Sequence, residues 1–209
     1  MVTRRAVSHG RFIALEGIDG SGKSTQCRLL AQALRERGHT VTETREPGGT
    51  PFGEQMREVL LGTDRGALSD AAEVYLFAAA RAQLVAQVVR PALERGEWVV
   101  CDRFLDSSLA YQGVGRGVGI DAVDQANALA VAGCLPDVTI IVDMPLAVAM
   151  VRRGLGDRIE AEGGSFHERV AEGYRELATR YPDRIRVVPG SGTPPDVHAR
   201  VIAELATLM

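Results

Sequence analysis

A glycine-rich segment near the start of the chain has the residue types and spacing of a phosphate-binding loop. Residues 17–24 read Gly-Ile-Asp-Gly-Ser-Gly-Lys-Ser and satisfy the pattern G-x-x-x-x-G-K-[ST]. In such a loop the backbone N–H groups face phosphate oxygens, the lysine reaches the β- and γ-phosphates, and the serine hydroxyl binds Mg²⁺. A short apolar run precedes the segment and a helical pattern follows it, as the motif requires. We therefore predict a P-loop that binds a nucleoside triphosphate, rather than a glycine-rich turn between a strand and a helix.

A P-loop is shared by switches, motors, transporters and kinases, so other segments must decide the class. A regulatory GTPase needs a guanine-reading N-K-x-D segment after a later strand, whereas residues 142–145 read Val-Asp-Met-Pro. Small-molecule phosphoryl transfer is therefore the leading prediction. Two alternatives stay open: a deoxynucleoside kinase that uses a carboxylate such as Asp102 or Glu46 as the base, and a non-catalytic protein that binds ATP as a conformational switch.

The composition indicates one globular domain in a reducing compartment. The 209 residues are 45% hydrophobic and 24% charged, a balance that supports a packed core. A net charge of −3 argues against a nucleic-acid polymer as partner, since that affinity comes from clustered lysine and arginine. The three cysteines lack C-x-x-C spacing, which argues against a disulfide framework or a zinc site and favours a cytoplasmic location. Residues 1–10 are predicted to be a flexible tail, and residues 11–209 a single domain with a lid at about residues 152–164.

The hydrophobic pattern predicts strands that alternate with helices. Strands are predicted at Phe12–Leu15, Val41–Thr44, Trp98–Cys101, Val138–Val142 and Ile185–Val188. Helices are predicted at Lys23–Arg37, Phe52–Leu61, Ala71–Val89, Asp121–Ala132, Leu146–Arg152, Phe166–Thr179 and Asp196–Leu208. Continuous apolar strands joined through helices indicate an α/β fold, with a five-stranded parallel sheet covered by helices on both faces.

Some local features refine this prediction. Gly38 is placed to end the first helix, and Asp70 to cap the third with Glu73 at position N3. The third helix, Ala71–Val89, is the longest apolar stretch, but it contains Glu73 and Arg81, which a membrane helix would exclude. We therefore predict a largely buried helix and no membrane partner. The glycine-rich segment Gly113–Gly119 is predicted to be a loop.

Further motifs follow the predicted strands. Arg45-Glu46-Pro47-Gly48-Gly49-Thr50 stands at the end of the second strand and Asp102-Arg103-Phe104 at the end of the third. Tyr111-Gln112-Gly113, Gly115-Arg116-Gly117 and Asp157-Arg158-Ile159-Glu160 come later. In this order after a P-loop, the motifs resemble those of the thymidylate kinases, which phosphorylate dTMP to dTDP with MgATP. The resemblance covers roughly residues 11–208 and implies a P-loop nucleoside-monophosphate kinase fold and a homodimer.

The resemblance also separates subtypes. Family members of the eukaryotic kind carry a basic residue among the variable P-loop positions, whereas the common bacterial kind carries its catalytic arginines in the lid. Here the variable positions, residues 18–21, contain no basic residue, and the lid supplies Arg152, Arg153 and Arg158. The bacterial subtype is therefore implied. The chain departs from the family pattern in its short lid and in Phe104, where tyrosine or histidine is common.

The resemblance implies roles for individual residues. The catalytic set is Lys23, Arg153, Arg103 and Asp19. The ATP-binding set is Gly17, Ile18, Asp19, Gly20, Ser21, Gly22, Lys23, Ser24, Thr25, Arg152 and Arg158. The acceptor-binding set is Asp19, Arg45, Glu46, Pro47, Phe77, Arg81, Asp102, Arg103, Ser107, Ser108, Tyr111, Gln112 and Glu160. The metal set, for Mg²⁺, is Ser24 and Asp102.

Thymine recognition is assigned to the third helix. Phe77 and Arg81 are four residues apart and therefore project from one face of it. By resemblance Phe77 stacks on thymine and Arg81 donates to its O4, while Ser108 lies beside the base and Tyr111 against the deoxyribose. The structural alternative is that Phe77 fills the core and Arg81 pairs with an acid such as Glu73 or Glu94.

Structural alternatives stay open for other residues too. Asp19 could cap the P-loop turn, Pro47 could only fix its loop, and Asp102 and Arg103 could form an ion pair. No histidine is marked as a base, and a phosphate monoester acceptor needs none, because its second pKa of about 6 leaves it mostly dianionic at neutral pH.

Overall fold

The computed structural model describes residues 10–63, 68–152 and 156–209. The predicted tail therefore lies outside the described residues except for Gly10. The five predicted strands are confirmed, and they form one parallel sheet in the order β2-β3-β1-β4-β5. Their bounds are β1 Arg11–Glu16, β2 Val41–Arg45, β3 Trp98–Asp102, β4 Val138–Asp143 and β5 Ile185–Pro189.

The carboxyl ends of three neighbouring strands are aligned. Asp102 in β3 lies opposite Leu15 in β1 and opposite Arg45 in β2. Asp102 and Arg45 belong to motifs singled out in the sequence, and Leu15 lies two residues before the P-loop. The register therefore brings the P-loop, the Arg45–Thr50 segment and the Asp102–Phe104 segment to one edge of the sheet, which is where ligands bind in open α/β sheets.

Helices cover both faces of the sheet. Their bounds are α1 Lys23–Glu36, α2 Pro51–Leu61, α3 Asp70–Leu84, α4 Arg90–Glu94, α5 Leu105–Ser108, α6 Ile120–Val131, α7 Leu146–Arg152, α8 Gly164–Arg180 and α9 Pro194–Glu204. Alternate residues of β1 belong to separate hydrophobic clusters: Phe12 joins one cluster and Ile13 the other. The central strand is thus buried on both sides, as its continuous apolar sequence predicts.

The third predicted helix continues beyond its predicted end. A π-helical turn at Val85–Val89 connects α3 to α4, so the helix spans Asp70–Glu94. By length and composition this helix could cross a membrane. It is a core helix, however, because Val74 and Leu84 lie in the larger hydrophobic cluster and Arg81 is ion-paired in the interior.

Two local predictions are wrong, and one is confirmed. Gly113–Gly119 is not a loop throughout, because a π-helix, Leu109–Gly115, continues α5 and packs against α8. Asp70 does not cap α3: the Ser69 hydroxyl accepts a hydrogen bond from the Ala72 N–H at 3.3 Å, and it takes the N-cap position. Gly38 does follow the end of α1 with a φ of +89°, a conformation that favours glycine.

Candidate active site

The P-loop lies between β1 and α1 and lines an open cavity of about 920 Å³. The cavity is lined by Gly20, Ser21, Gly22, Lys23, Ser24, Thr25, Gln26, Arg152, Gly190, Gly192, Pro194 and Val197. It therefore unites most of the predicted ATP-binding loop with Arg152 from α7. We call it the donor cavity. Gly190 and Gly192 belong to the loop that follows β5, so this loop forms part of the cavity wall.

Lys23 begins α1 and is almost fully buried. Its Nζ atom donates to the Ile18 carbonyl at 3.4 Å and to Asp19 Oδ1 at 3.3 Å. Burial and the nearby Arg103 lower the pKa of Lys23, while the carboxylates of Asp19 and Asp102 oppose that change. A lysine ammonium group in a loop of this kind, beside backbone N–H groups, is suited to bind phosphate oxygens.

A second cavity, of about 590 Å³, lies beside the first. It is lined by Asp19, Glu46, Pro47, Arg57, Leu61, Phe77, Arg81, Arg103, Phe104, Ser107, Ser108, Tyr111, Gln112, Asp157, Ile159 and Glu160. We call it the acceptor cavity. It brings together the predicted acceptor residues except Arg45 and Asp102. Arg45 is instead half-exposed and ion-paired with Glu54 at 2.9 Å.

Asp19 and Arg103 meet where the two cavities adjoin. Arg103 Nη2 pairs with Asp19 Oδ1, and the Tyr111 hydroxyl donates to Asp19 Oδ2 at 2.8 Å. Arg103 Nη1 donates to the Gly17 carbonyl at 3.1 Å. Burial by itself would raise the pKa of Asp19, but Arg103 and Lys23 hold it well below its ordinary value. Asp19 is therefore a carboxylate at neutral pH, and it fixes both Arg103 and Tyr111.

Glu16, at the end of β1, holds the segment that carries Arg103. Its carboxylate is fully buried and accepts hydrogen bonds from the Phe104 N–H at 2.7 Å, the Ser107 hydroxyl at 2.5 Å and the Tyr174 hydroxyl at 2.9 Å. Burial raises the pKa of Glu16. The network fixes the turn that carries Arg103, whose φ of +69° is uncommon for a residue other than glycine. Sequence reasoning missed Glu16 and Tyr174, although an acid that ends an apolar strand is a detectable signal.

Arg81 lines the acceptor cavity and is also ion-paired, so both sequence interpretations are partly met. Its partner acid is Glu46, whose Oε2 accepts from Nη2 at 2.6 Å, and neither Glu73 nor Glu94. The Ser108 hydroxyl at 3.0 Å and the Asn127 side chain complete its surroundings. Burial raises the pKa of Glu46 to about 7, although Arg81 lowers it.

A family model described as Thymidylate kinase matches residues 15–201. A thymidylate kinase of Rhizorhabdus wittichii is 50% identical over 205 residues, which are 96% of this chain and 99% of that protein. The chain belongs to the thymidylate kinase family. Another relative, the thymidylate kinase of Syntrophotalea carbinolica, is 48% identical over 91% of this chain and 92% of that protein. The crystal structure of thymidylate kinase from Ehrlichia chaffeensis is similar with a TM-score of 0.78 and 36% identity, over 94% of this chain and 98% of that one.

Family membership confirms the predicted resemblance, the P-loop nucleoside-monophosphate kinase fold and the enzyme class. The roles of individual residues stay predictions. Arg153 lies outside the described residues. Arg158 is placed on the acceptor side, where its guanidinium binds Glu73 at 2.6 Å, and it lines neither cavity. Arg57 lines the acceptor cavity and donates to the Pro47 carbonyl at 3.0 Å, but its sequence context in α2 gave no signal.

The residues predicted to hold Mg²⁺ fit that ion. Mg²⁺ prefers oxygen ligands and is commonly bound by one or two protein groups together with substrate phosphates. Ser24 lines the donor cavity, and Asp102 ends β3 with its buried Oδ1 atom lacking a hydrogen-bond partner among the described residues. Within that same part of the chain, no three histidine, cysteine, aspartate or glutamate side chains cluster as metal ligands.

Proposed function

We propose that the protein transfers the γ-phosphoryl group of ATP to dTMP, with Mg²⁺, and releases dTDP and ADP. One observation carries the proposal: adjacent P-loop residues face different cavities, Asp19 the acceptor cavity and Gly20 the donor cavity. Two phosphorylated ligands bound in these cavities would meet at that point. Holding both reactants in line supplies much of the catalysis in phosphoryl transfer.

The residues at the junction act by charge and position. Lys23 binds the phosphate oxygens of the donor, and Arg103, held by Asp19, binds those of the acceptor. Their charges oppose the repulsion between two anions and stabilise the group in transfer. The acceptor phosphate is already deprotonated at neutral pH, so no side chain has to remove a proton. Ser24 and Asp102 would hold Mg²⁺, which would supply further charge neutralisation.

The inner end of the acceptor cavity suits thymine. Phe77 offers an aromatic face, and the buried Arg81 is a fixed hydrogen-bond donor for the O4 carbonyl. Cytosine presents an amino donor at this position, so it would leave the guanidinium without an acceptor. Tyr111 is held by Asp19 in the wall of the acceptor cavity, where it would lie against the deoxyribose and oppose a ribose 2′-hydroxyl.

A homodimer and a cytoplasmic location form part of the proposal. The large apolar side chains of Tyr75 in α3 and Leu129 in α6 are exposed, although these helices pack against each other. Burial of such side chains against a second copy of the chain would favour a dimer. Sedimentation of the purified protein tests the dimer.

A substrate panel tests the activity. The purified protein with MgATP is given dTMP, dUMP, dCMP, dGMP or thymidine, and ADP release is measured together with chromatographic identification of the product. We expect turnover to be fastest with dTMP and the product to be dTDP. Preferential use of thymidine would favour the deoxynucleoside kinase, and ATP binding without acceptor-dependent turnover would favour the switch.

A further inference from the structure

A buried carboxylate outside both cavities connects three parts of the acceptor side. Glu73, near the start of α3, is 1% exposed. It accepts hydrogen bonds from Gln112 Nε2 at 2.8 Å, from Arg116 Nη2 at 3.2 Å and from Arg158 Nη2 at 2.6 Å. We call Glu73, Gln112, Arg116, Arg158 and Glu162 the Glu73 cluster. A buried acid with two guanidinium partners is uncommon unless the pairing has a role, because removing it from water is costly.

The cluster fixes the segment 156–163 at two points. Arg158 Nε also donates to the Leu60 carbonyl at 2.9 Å, and the Arg158 N–H donates to the Leu61 carbonyl at 3.1 Å, so this residue is bound to both α2 and α3. Four residues later, Glu162 pairs with Arg116, which in turn binds Glu73. The segment is therefore attached to the body of the protein at both ends.

The residues on either side of Arg158 form a wall of the acceptor cavity. Asp157, Ile159 and Glu160 line it, directly beside Arg158 in the chain. The turn is internally stiff, because Asp157 Oδ1 accepts from the N–H groups of Ile159 and Glu160, each at 2.9 Å. A displacement of Arg158 would therefore move the wall as a unit.

The charges of the cluster are balanced. Two guanidinium groups, from Arg116 and Arg158, face the carboxylates of Glu73 and Glu162. Burial opposes ionisation of Glu73, yet the hydrogen bonds from Arg116, Arg158 and Gln112 lower its pKa below the ordinary value. Glu73 is thus ionised at neutral pH and holds both arginines.

We infer that Glu73 is a positioning residue for the acceptor site, that it acts through Arg158 and Arg116, and that Arg158 positions the cavity wall instead of contacting ATP. The kinetic part of this inference rests on the proposed function, since it is measured with dTMP. It goes beyond that function by assigning a role to residues that touch neither substrate cavity.

A double-mutant cycle separates positioning from ATP binding. Glu73→Gln, Arg158→Met and the double variant are compared by steady-state kinetics in both substrates. We expect each single change to raise KM for dTMP about tenfold, while KM for ATP stays within about twofold of the original. The KM for dTMP of the double variant should be no higher than that of the more impaired single variant. A rise in KM for ATP that is confined to Arg158→Met, or additive effects in the double variant, would overturn the inference.

A readout independent of activity guards against a failed fold or a wrong substrate. Amide hydrogen exchange of residues 159–162 is measured in the full-length protein without nucleotides. We expect faster exchange in Arg158→Met, and also in Glu162→Gln, which removes only the partly exposed outer pair. Arg180→Met is the matched control: it breaks an exposed ion pair between Arg180 on α8 and Asp121 on α6, and it should leave this exchange unchanged. Unchanged exchange in Arg158→Met would refute the positioning role even if dTMP proved not to be the substrate.

Discussion

At the scale of single residues, the proposed phosphate-binding role of Lys23 can be separated from its structural contacts. Its bonds to Ile18 and Asp19 are long, at 3.4 and 3.3 Å, and Asp19 keeps Arg103 and Tyr111 as partners if the lysine is removed. We therefore expect Lys23→Ala to fold normally while kcat falls about 100- to 1000-fold, as when one charge-stabilising donor is removed from an active site. Turnover with dTMP and the thermal midpoint should be measured together. Near-normal turnover in a folded variant would exclude the assigned role.

Arg81 differs because it combines a proposed contact with the base and an observed ion pair with Glu46. Arg81→Ala should cost about 1.5–3 kcal/mol of dTMP recognition, the range for a hydrogen bond from a charged donor, and narrow the preference for dTMP over dCMP. The measurement is kcat/KM for both nucleotides. Equal losses for dTMP and dCMP would show that Arg81 does not read the base.

Arg81→Ala also leaves the buried Glu46 without its cation. Breaking a buried ion pair in this way destabilises a protein by about 3–5 kcal/mol. A second variant, Arg81→Met combined with Glu46→Gln, removes both charges at once. It should retain more stability than Arg81→Ala and show the same narrowed base preference. Thermal unfolding of the two variants separates the structural loss from the loss of recognition.

At the scale of elements, α8 packs closely on the π-helix Leu109–Gly115 because glycine lies at the contact. A Cβ atom added at Gly173 would lie 3.0 Å from Val114 Cβ and 3.2 Å from Ala110 Cα. Alanine in a helix gains about 0.5–1 kcal/mol over glycine, but overpacking costs about 1–3 kcal/mol. We expect Gly173→Ala to lower the free energy of unfolding by about 1 kcal/mol. Denaturant unfolding measures it.

Gly164, in the first turn of the same helix, is the matched control. An added Cβ atom there meets nothing within 4 Å, so Gly164→Ala should be neutral or stabilising by up to about 1 kcal/mol. If the two variants had equal stability, close packing at Gly173 would not be the reason for its glycine. The neighbouring Tyr174 bonds to Glu16, so the Gly173 contact also sets how α8 reaches the active site.

At the scale of the whole molecule, the folding equilibrium should depend on pH through Glu46. Its pKa rises from an ordinary 4.5 to about 7 on folding, so the folded state binds a proton more tightly than the unfolded state. The corresponding stabilisation is complete below pH 4.5 and is lost as the pH rises through 7, a change of up to about 3 kcal/mol. Glu46→Gln cannot titrate. We expect the free energy of unfolding of the original protein, relative to this variant, to decrease between pH 5 and pH 8, as urea denaturation at about half-unit steps would detect. Parallel pH profiles would contradict the raised pKa.

The features that the sequence by itself determined are local or periodic. The P-loop is eight consecutive residues, so its phosphate-binding backbone follows from the order of Gly17 to Ser24. The strands follow from continuous apolar runs, and their parallel arrangement follows from the helical segments between them. The acceptor motifs directly follow strands, so the sequence predicts Arg103 and Glu46 at the carboxyl edge of the sheet, where ligands bind. The family was predicted from these same segments.

The tertiary structure alone decided which groups meet across long distances in the chain. Glu16 accepts from Tyr174, 158 residues away, and Arg158 binds Glu73 across 85 residues. Arg81 pairs with Glu46, which directly follows β2, and not with Glu73 or Glu94 of its own helix. Neither hydrophobic periodicity nor local motifs encode such pairings, since several acids could satisfy one arginine. The choice depends on which of them the packed helices bring within hydrogen-bond distance and remove from water.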